Sequence, residues 1–485
     1  MSAAENVFTG RARADVVVIG SGPGGAVAAL RCAEAGLSVV MLEEGPHLPL
    51  DSAQHFSREE IVQKYRNAGV EVALSRHKLS FVEGRCVGGG SEVNRGLYHR
   101  TPDYILNDWK REFGVHELTE DSLRPHFEAC EEIARVEYLP GSAPQVSRLL
   151  ADGARALSWS AIEAPRLYRY ARGKTGGRKQ SMTETFIPRF LAAGGSLASN
   201  TRATSLRRED GGWTILASRG TNREDQRETE IRASQVVVAC GAVQTPALLR
   251  RSGIVHNVGN SLRFHPMIKM VAEFPDEVNH TGGLDPVHQI KAFEPRFSMG
   301  CSISKPEILG MALGHVAGHH RLVAENWRRM GLYYVQSGGG VARVRNIPGF
   351  RDPLVRISFS EDDLATLSEG LKRLAEALFA AGATRVFPSV AGLPALKSMA
   401  EVRSLPDRFD GGDGSLTSVH VFSSCPMGEH AGRTATDSFG RVHGHAGLYI
   451  CDASLLCGPT VVNPQGTVMA ISHRNIMHAL ANRFR

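Results

Sequence analysis

The segment ADVVVIGSGPGGAVAALRCAEAGLSVVMLEEG, residues 14–45, constrains the fold more than any other part of this chain. Its first residues are a β-branched run suited to a strand buried on both faces of a parallel sheet. Gly20, Gly22 and Gly25 follow in GxGxxG positions, then an alanine-rich helical stretch, then a second apolar run ending at Glu43. One glycine permits the tight turn, one lets backbone approach a pyrophosphate, and one lets helix and strand pack closely. The helix N-terminus adds free N–H groups and a favourable dipole. Glu43, 18 residues past Gly25, is placed to accept hydrogen bonds from ribose hydroxyls and to disfavour a 2′-phosphate. An ordinary Gly-rich βα turn is the bland alternative. Strand, glycines, helix, strand and terminal acid in this order predict a dinucleotide site, without separating FAD from NAD.

At 485 residues the chain exceeds the roughly 250–300 residues at which single cores stop growing, so two domains are expected. Hydrophobic content of 42% and charged content of 22% are ordinary for a globular protein. The net charge of +6 comes from scattered basic residues without a sustained block, which argues against nucleic-acid binding. The N-terminus has no apolar core of signal-peptide type, and no apolar run approaches the ~18 residues needed to span a bilayer. Eight cysteines show no CxxC pair and no metal-ligand spacing, a pattern of buried thiols in a reducing compartment. The His319–His320 doublet has no acidic or Cys partners at ligand spacing. A soluble cytoplasmic protein without a metal is the expectation.

A second Gly-rich loop, EGRCVGGGSEVNRG, contains Gly88, Gly89 and Gly90, then Ser91 and Asn94. It lets backbone lie close against something flat or anionic, with polar donors at the edge, and a nicotinamide enzyme has no evident use for it. QVVVACGAVQTPALLRRSGI again runs from a buried strand into a helix beginning near Thr245 and Pro246. Pro246 suits a first helical turn, with Thr245 as its N-cap. Near the C-terminus, His420 stands in TSVHVFSSCPMG, and Asn463 follows the strand and turn GLYICDASLLCGPT.

Together these blocks resemble the glucose–methanol–choline (GMC) family of FAD-dependent oxidoreductases. The match rests on residues 16–45, GRCVGGGSEVN, CGAVQTPALLRRSGI and the stretch from SVHVFSSCPMG to VVNPQGTVMAISHR; VGNSLRFHP also resembles a family turn. The resemblance implies an α/β protein with a Rossmann-like FAD-binding domain (1–100, 190–262 and 418–485). An α+β substrate domain with an antiparallel sheet would take 101–189 and 263–417. It implies FAD with its pyrophosphate on Gly20, Gly22 and Gly25, ribose on Glu43, and the isoalloxazine near Gly89, Gly90, Ser91 and Asn94. Asp452, Pro464 and Gln465 would close over the ring. The family's active-site base maps onto His420, and its second polar residue onto Asn463. Val93 occupies the position where some members carry a flavin-linking histidine, so noncovalent FAD is expected.

Alcohol oxidation suits these residue types. An imidazole can take the hydroxyl proton near neutral pH, while a non-titrating amide fixes the substrate oxygen and orients the carbon for hydride transfer. The remaining histidines, including His99, His265 and His473, read as core or turn residues. Where the family usually reads GTCRMG, this chain has FSSCPMG. That departure leaves the substrate open, and also the acceptor, oxygen or a quinone-like molecule. Met311, Leu313, Leu332, Tyr333, Tyr334 and Phe422 form a candidate apolar pocket for a bulky or apolar small-molecule alcohol. The alternative is a GMC-fold enzyme without net alcohol oxidation, of hydroxynitrile lyase or fatty acid photodecarboxylase type; a noncatalytic flavin scaffold is a third reading. RFHPMIKMVAEFPD, HQIKAFEP, GLYYVQSGGGVARVRN and PLVRISFS read as strands. EDDLATLSEGLKRLAEALFAAGA reads as an amphipathic helix.

Overall fold

The first apolar run forms β1 (Ala12–Ile19), with Val16 to Val18 fully buried. The Gly-rich turn leads into α1 (Pro23–Glu34), and Val39–Leu42 forms β2, parallel to β1. The computed structural model describes residues 12–170, 177–221, 225–280, 285–409 and 415–484. The Gly/Arg-rich stretch 172–181 and the charged stretch 218–232, whose sequences read as surface loops or hairpin tips, fall partly outside these residues; the flanks of the second are the paired strands Gly212–Arg219 and Arg227–Val238.

β1 lies between β2 and Arg227–Val238, parallel to both. Ser196–Ala198 adds in parallel beyond β2, and Leu448–Ile450 against the end of Arg227–Val238. The antiparallel strands Thr201–Glu209 and Gly212–Arg219 extend the other edge of this seven-stranded sheet. Register places Ile19 beside Leu42 and Val238, and Val238 beside Ile450. Four carboxyl ends therefore finish on one line, followed by Gly20, Glu43, Ala239 and Cys451. The carboxyl edge of an open α/β sheet is where its ligand crevice lies.

The second sheet has nine strands and is mostly antiparallel. Met267–Glu273, Met330–Ser337, Phe297–Cys301, His288–Ile290 and Ala161–Glu163 run across it in that order. Helix Glu361–Ala380, opened by a Ser360–Asp363 capping box, buries its apolar side in the core shared with this sheet. The α/β architecture, Rossmann-like with a second antiparallel sheet, is the one expected.

Two segments depart from the sequence reading in ways that shape the site. RFHPMIKMVAEFPD is two strands, Arg263–Phe264 and Met267–Glu273. The break falls at His265–Pro266, where proline has no N–H for a ladder. Arg263–Phe264 pairs instead with Val421–Phe422, which brings residue 265 beside residue 420. The helix after Gly241 runs Gln244–Arg251, so Thr245 is inside it rather than its N-cap. The Thr245 hydroxyl instead accepts from Cys240 N at 3.0 Å and donates to Asp452 at 2.5 Å.

Candidate active site

His420 follows the strand Leu416–Ser418, and Asn463 stands just before helix Gln465–Ala481. The fold brings them together, each half-buried. Asn463 Nδ2 donates to His420 Nε2 at 3.1 Å, while Asn463 Oδ1 accepts from Gln289 Nε2 at 3.3 Å. On the other side of the ring, His420 Nδ1 meets His265 Nδ1 at 3.0 Å. With the amides so oriented, the tautomers follow. A donor at Nε2 leaves that nitrogen of His420 bare and puts its proton on Nδ1. His265 must then accept at Nδ1 and carry its own proton on Nε2. Burial pushes His420 down to about 4, so at neutral pH it is an uncharged imidazole whose Nε2 lone pair accepts from Asn463.

His265, Gln289, His99 and Tyr334 surround the pair; of these the sequence marked only Tyr334, as an apolar pocket candidate. Gln289 lies on His288–Ile290, opposite Gly300, which in turn lies opposite Tyr334. A Cβ on Gly300 would sit 2.3 Å from the Tyr334 hydroxyl, so the missing side chain lets that hydroxyl reach across the sheet toward Gln289. His99 lies on the other side of Gln289, and burial, then the Lys291 charge, lowers it to about 3. Gln289 thus stands between the buried His99 ring and the Tyr334 hydroxyl. The RFHP turn carried the signal for His265. No signal marked Gln289, because its position depends on strand pairing.

The glycine loops form an open cradle at the carboxyl edge. Gly20 has φ +105°, and a Cβ there would meet Ala239 O at 2.2 Å. A Cβ on Gly25 would meet Gly20 O at 2.1 Å, the close helix–strand approach expected of the third glycine. Gly89, at φ +53°, brings the second loop against Gly22, and Gly88 N donates to Ser21 Oγ at 3.0 Å. Gly22 and Gly90 have open space where a Cβ would stand. At Gly22 helix α1 begins with Pro23 and no side-chain cap, leaving N–H groups for a phosphate. Buried Glu43 accepts from Ser21 Oγ at 2.6 Å, Ser21 N at 3.2 Å and Gly45 N at 2.8 Å. That leaves one of its about four acceptor positions for a ribose hydroxyl. Asn94 bonds Gln465, joining the second loop to the segment Asn463–Pro464–Gln465.

Some expected contacts take another form. The Ser91 hydroxyl is turned inward, donating to Gly88 O at 2.7 Å and accepting from Met182 N at 3.0 Å, so it braces the loop rather than offering a donor at its edge. Asp452 joins two turns, accepting from Gly241 N at 2.9 Å and Ser454 N at 2.8 Å. The apolar pocket is not formed. Met311 is 72% exposed, while Leu313 and Leu332 belong to a small separate core. Tyr333 is buried with its hydroxyl on Val146 O at 2.8 Å. Phe422 packs edge-on against His265, behind the base. Of the six, Tyr334 alone reaches the surroundings of the pair.

The GMC oxidoreductase family pattern matches residues 61–267 and, in its C-terminal part, 349–472; an FAD binding domain matches 15–58. An uncharacterised GMC-type oxidoreductase of Sinorhizobium fredii is 34% identical over 97% of this chain and 95% of its own. The chain belongs to the GMC oxidoreductase family. It is an FAD-binding oxidoreductase, and the cradle fits that cofactor: open glycines face the crevice where a pyrophosphate would lie, and Glu43 keeps an acceptor for ribose. A long-chain-alcohol oxidase of Arabidopsis thaliana is 25% identical over 99% of this chain and 69% of its own. Pyridoxine 4-oxidase from Mesorbium loti shares the fold at TM-score 0.73 and 18% identity, covering 96% of this GMC chain and 99% of that one. Formate oxidase of Aspergillus oryzae does so at TM-score 0.76 and 15% identity, covering 99% and 100%. No helix among the described residues is long and apolar enough to cross a membrane.

Proposed function

We propose that this GMC oxidoreductase oxidises an alcohol to an aldehyde or ketone, with His420 as the base and Asn463 as the group that holds the substrate oxygen. The observation that carries the reading is the 3.1 Å contact from Asn463 Nδ2 to His420 Nε2, which puts the His420 lone pair on Nε2 beside the amide. An alcohol hydroxyl entering between the two would take over this contact, accepting from the amide N–H and passing its proton to Nε2. Bound in the glycine cradle and at Glu43, FAD would supply the acceptor for the carbinol hydride.

The substrate class follows from what stands beside the pair. The polar groups of His99, Gln289 and Tyr334 around the pair favour an alcohol with a second hydrogen-bonding group near the reacting carbon. The Arabidopsis relatives, named as long-chain-alcohol oxidases, favour a second reading, an apolar alcohol.

Anaerobic addition of alcohols to the yellow holoprotein separates the readings. Pyridoxine, polyols and amino-alcohols should bleach the flavin band faster than 1-dodecanol or a sterol. The reverse order would support the long-chain reading. No bleaching by any alcohol, with turnover of a cyanohydrin or of an illuminated fatty acid, would exclude alcohol oxidation. His420→Ala should retain FAD and bleach roughly 10²–10⁴-fold more slowly, the usual loss for a missing general base. An undiminished rate would remove His420 from the role.

A further inference from the structure

His265 turns one ring nitrogen toward His420, and the other, Nε2, has no partner although the residue is fully buried. The ring borders a cavity of about 10 Å³, which is room for one water. Ser337 borders the same cavity, and its buried hydroxyl is also unpartnered. One water there would accept from His265 Nε2–H and donate to Ser337 Oγ, satisfying both groups at once. Pro295, Arg296, Ser337, Gly338 and Val461 line this cavity and also a larger pocket of about 390 Å³. The larger pocket is bordered by Asp108, Glu112, Asp362 and Asp363, of which Glu112 and Asp362 are exposed.

We propose that His265 is a proton relay, carrying the substrate proton from His420 to a water in this cavity and on through the larger pocket to solvent. The proposal rests on the reading of His420 as the base. The tautomers already point the right way. When His420 Nε2 takes the hydroxyl proton, its Nδ1–H passes to His265 Nδ1, and His265 Nε2–H passes to the water. One proton enters the chain and one leaves it, while the hydride and its two electrons go to FAD. The ring protons end on the opposite nitrogens. They reset when the chain runs backwards as an acceptor such as dioxygen is reduced. Dioxygen takes two electrons and two protons to become hydrogen peroxide; one proton arrives as part of the hydride and the other through His420 Nε2. The need for such a path is physical: the burial that keeps His420 neutral also makes its imidazolium unfavourable to hold.

Anaerobic stopped-flow mixing of holoenzyme with a bleaching alcohol, in weakly buffered solution with a pH-indicator dye, reads flavin bleaching and proton release separately. The wild-type protein should release protons in step with bleaching. His265→Gln keeps an amide oxygen that can accept from His420 Nδ1–H, but it cannot pass a proton on. It should retain FAD and release protons at least about tenfold later than it bleaches. Ser337→Val removes the acceptor for the water and fills its space, and should show a smaller lag without touching either histidine. His265→Ala supplied with imidazole should recover prompt release. Simultaneous bleaching and release in His265→Gln and Ser337→Val would reduce His265 to a positioning residue and overturn the relay. So would the absence of any proton release from wild type. A different result marks failure of the underlying reading: His420→Ala bleaching at the wild-type rate.

Discussion

An imidazole held near 4 by burial is neutral at any pH above about 5, so at neutral pH its chemistry depends on which nitrogen is bare. Asn463 decides that, because only an N–H donor at 3.1 Å from Nε2 leaves the lone pair there. Asn463→Asp tests the point with almost no change of shape. A carboxylate is acceptor-only, so it would demand a proton on Nε2, and its charge would raise the His420 pKa by favouring the imidazolium. Gln289 Nε2 would still have an oxygen to donate to. The expected outcome is an FAD-replete protein whose bleaching by alcohol at pH 7 falls by at least about tenfold, since the base is already occupied. Anaerobic stopped-flow absorbance measures it, and a variant as fast as wild type would show that Asn463 does not set the tautomer.

At the scale of elements, the site depends on where chain segments stop. Residues 14–45 were legible because each residue type there answers a local need, with β-branched residues for a buried strand, glycines for turn and approach, and an acid at the strand end. The pairing of His420 with Asn463 was legible only through the family resemblance. The role of His265 was hidden because it depends on a two-residue break at His265–Pro266 and on Arg263–Phe264 pairing with Val421–Phe422, which no periodicity encodes. Five of the six apolar pocket candidates read wrongly because apolar residues serve cores as readily as pockets. Helix Gln465–Ala481 shows how tightly one element end is fixed. A Cβ on Gly466, in its first turn, would lie 2.5 Å from His99 O and 2.7 Å from the Tyr98 ring. The carbonyl is backbone and cannot swing aside. Gly466→Ala should therefore push the start of the helix outward, costing about 1–3 kcal/mol of stability. The displaced Asn463 should slow bleaching by roughly 10². Thermal melts and stopped-flow would measure the two effects, and unchanged kinetics would mean that the loop before the helix absorbs the shift.

Across the whole molecule, a charged seam joins the FAD-binding sheet to the second sheet. Arg66 binds Glu44, just past the end of β2, at 2.7 Å, Asp352 at 3.1 Å and Glu83 at 3.4 Å. Gln244, on the helix behind the first sheet, reaches Glu83 at 3.4 Å. Glu71, on the second sheet, is buried beside Glu83. Burial first, and then the Glu83 charge, push Glu71 up to about 10, so one proton stays on this carboxyl pair at neutral pH. Its effect on stability has a definite sign. A carboxyl whose folded pKa is raised binds a proton that the unfolded chain, with pKa near 4.5, has already released. Stability from that proton is complete below about 4.5 and is lost as pH rises toward 10. Buried histidines act the other way. His420 and His473 are lowered to about 4 and His99 to about 3, all chiefly by burial. The unfolded chain takes up their protons below about 6.5, so stability falls as pH drops from there toward 4. The two slopes oppose each other between about 4.5 and 6.5; above about 7 the carboxyl slope is opposed by Lys179, which burial lowers to about 7 while the unfolded chain holds that proton up to about 10.5. The melting temperature should therefore rise from pH 5 to about 6.5 and change little from pH 7 to 9, where the shared carboxyl proton and Lys179 each carry up to about 1.4 kcal/mol per pH unit in opposite directions. Glu71→Gln keeps the hydrogen-bonding shape without a titrating group and should uncover the Lys179 slope, so that the variant's melting temperature rises from pH 7 to 9 relative to wild type. Melts of both proteins at half-unit steps from pH 5 to 9 decide it: parallel curves would mean that the seam holds no proton near neutrality.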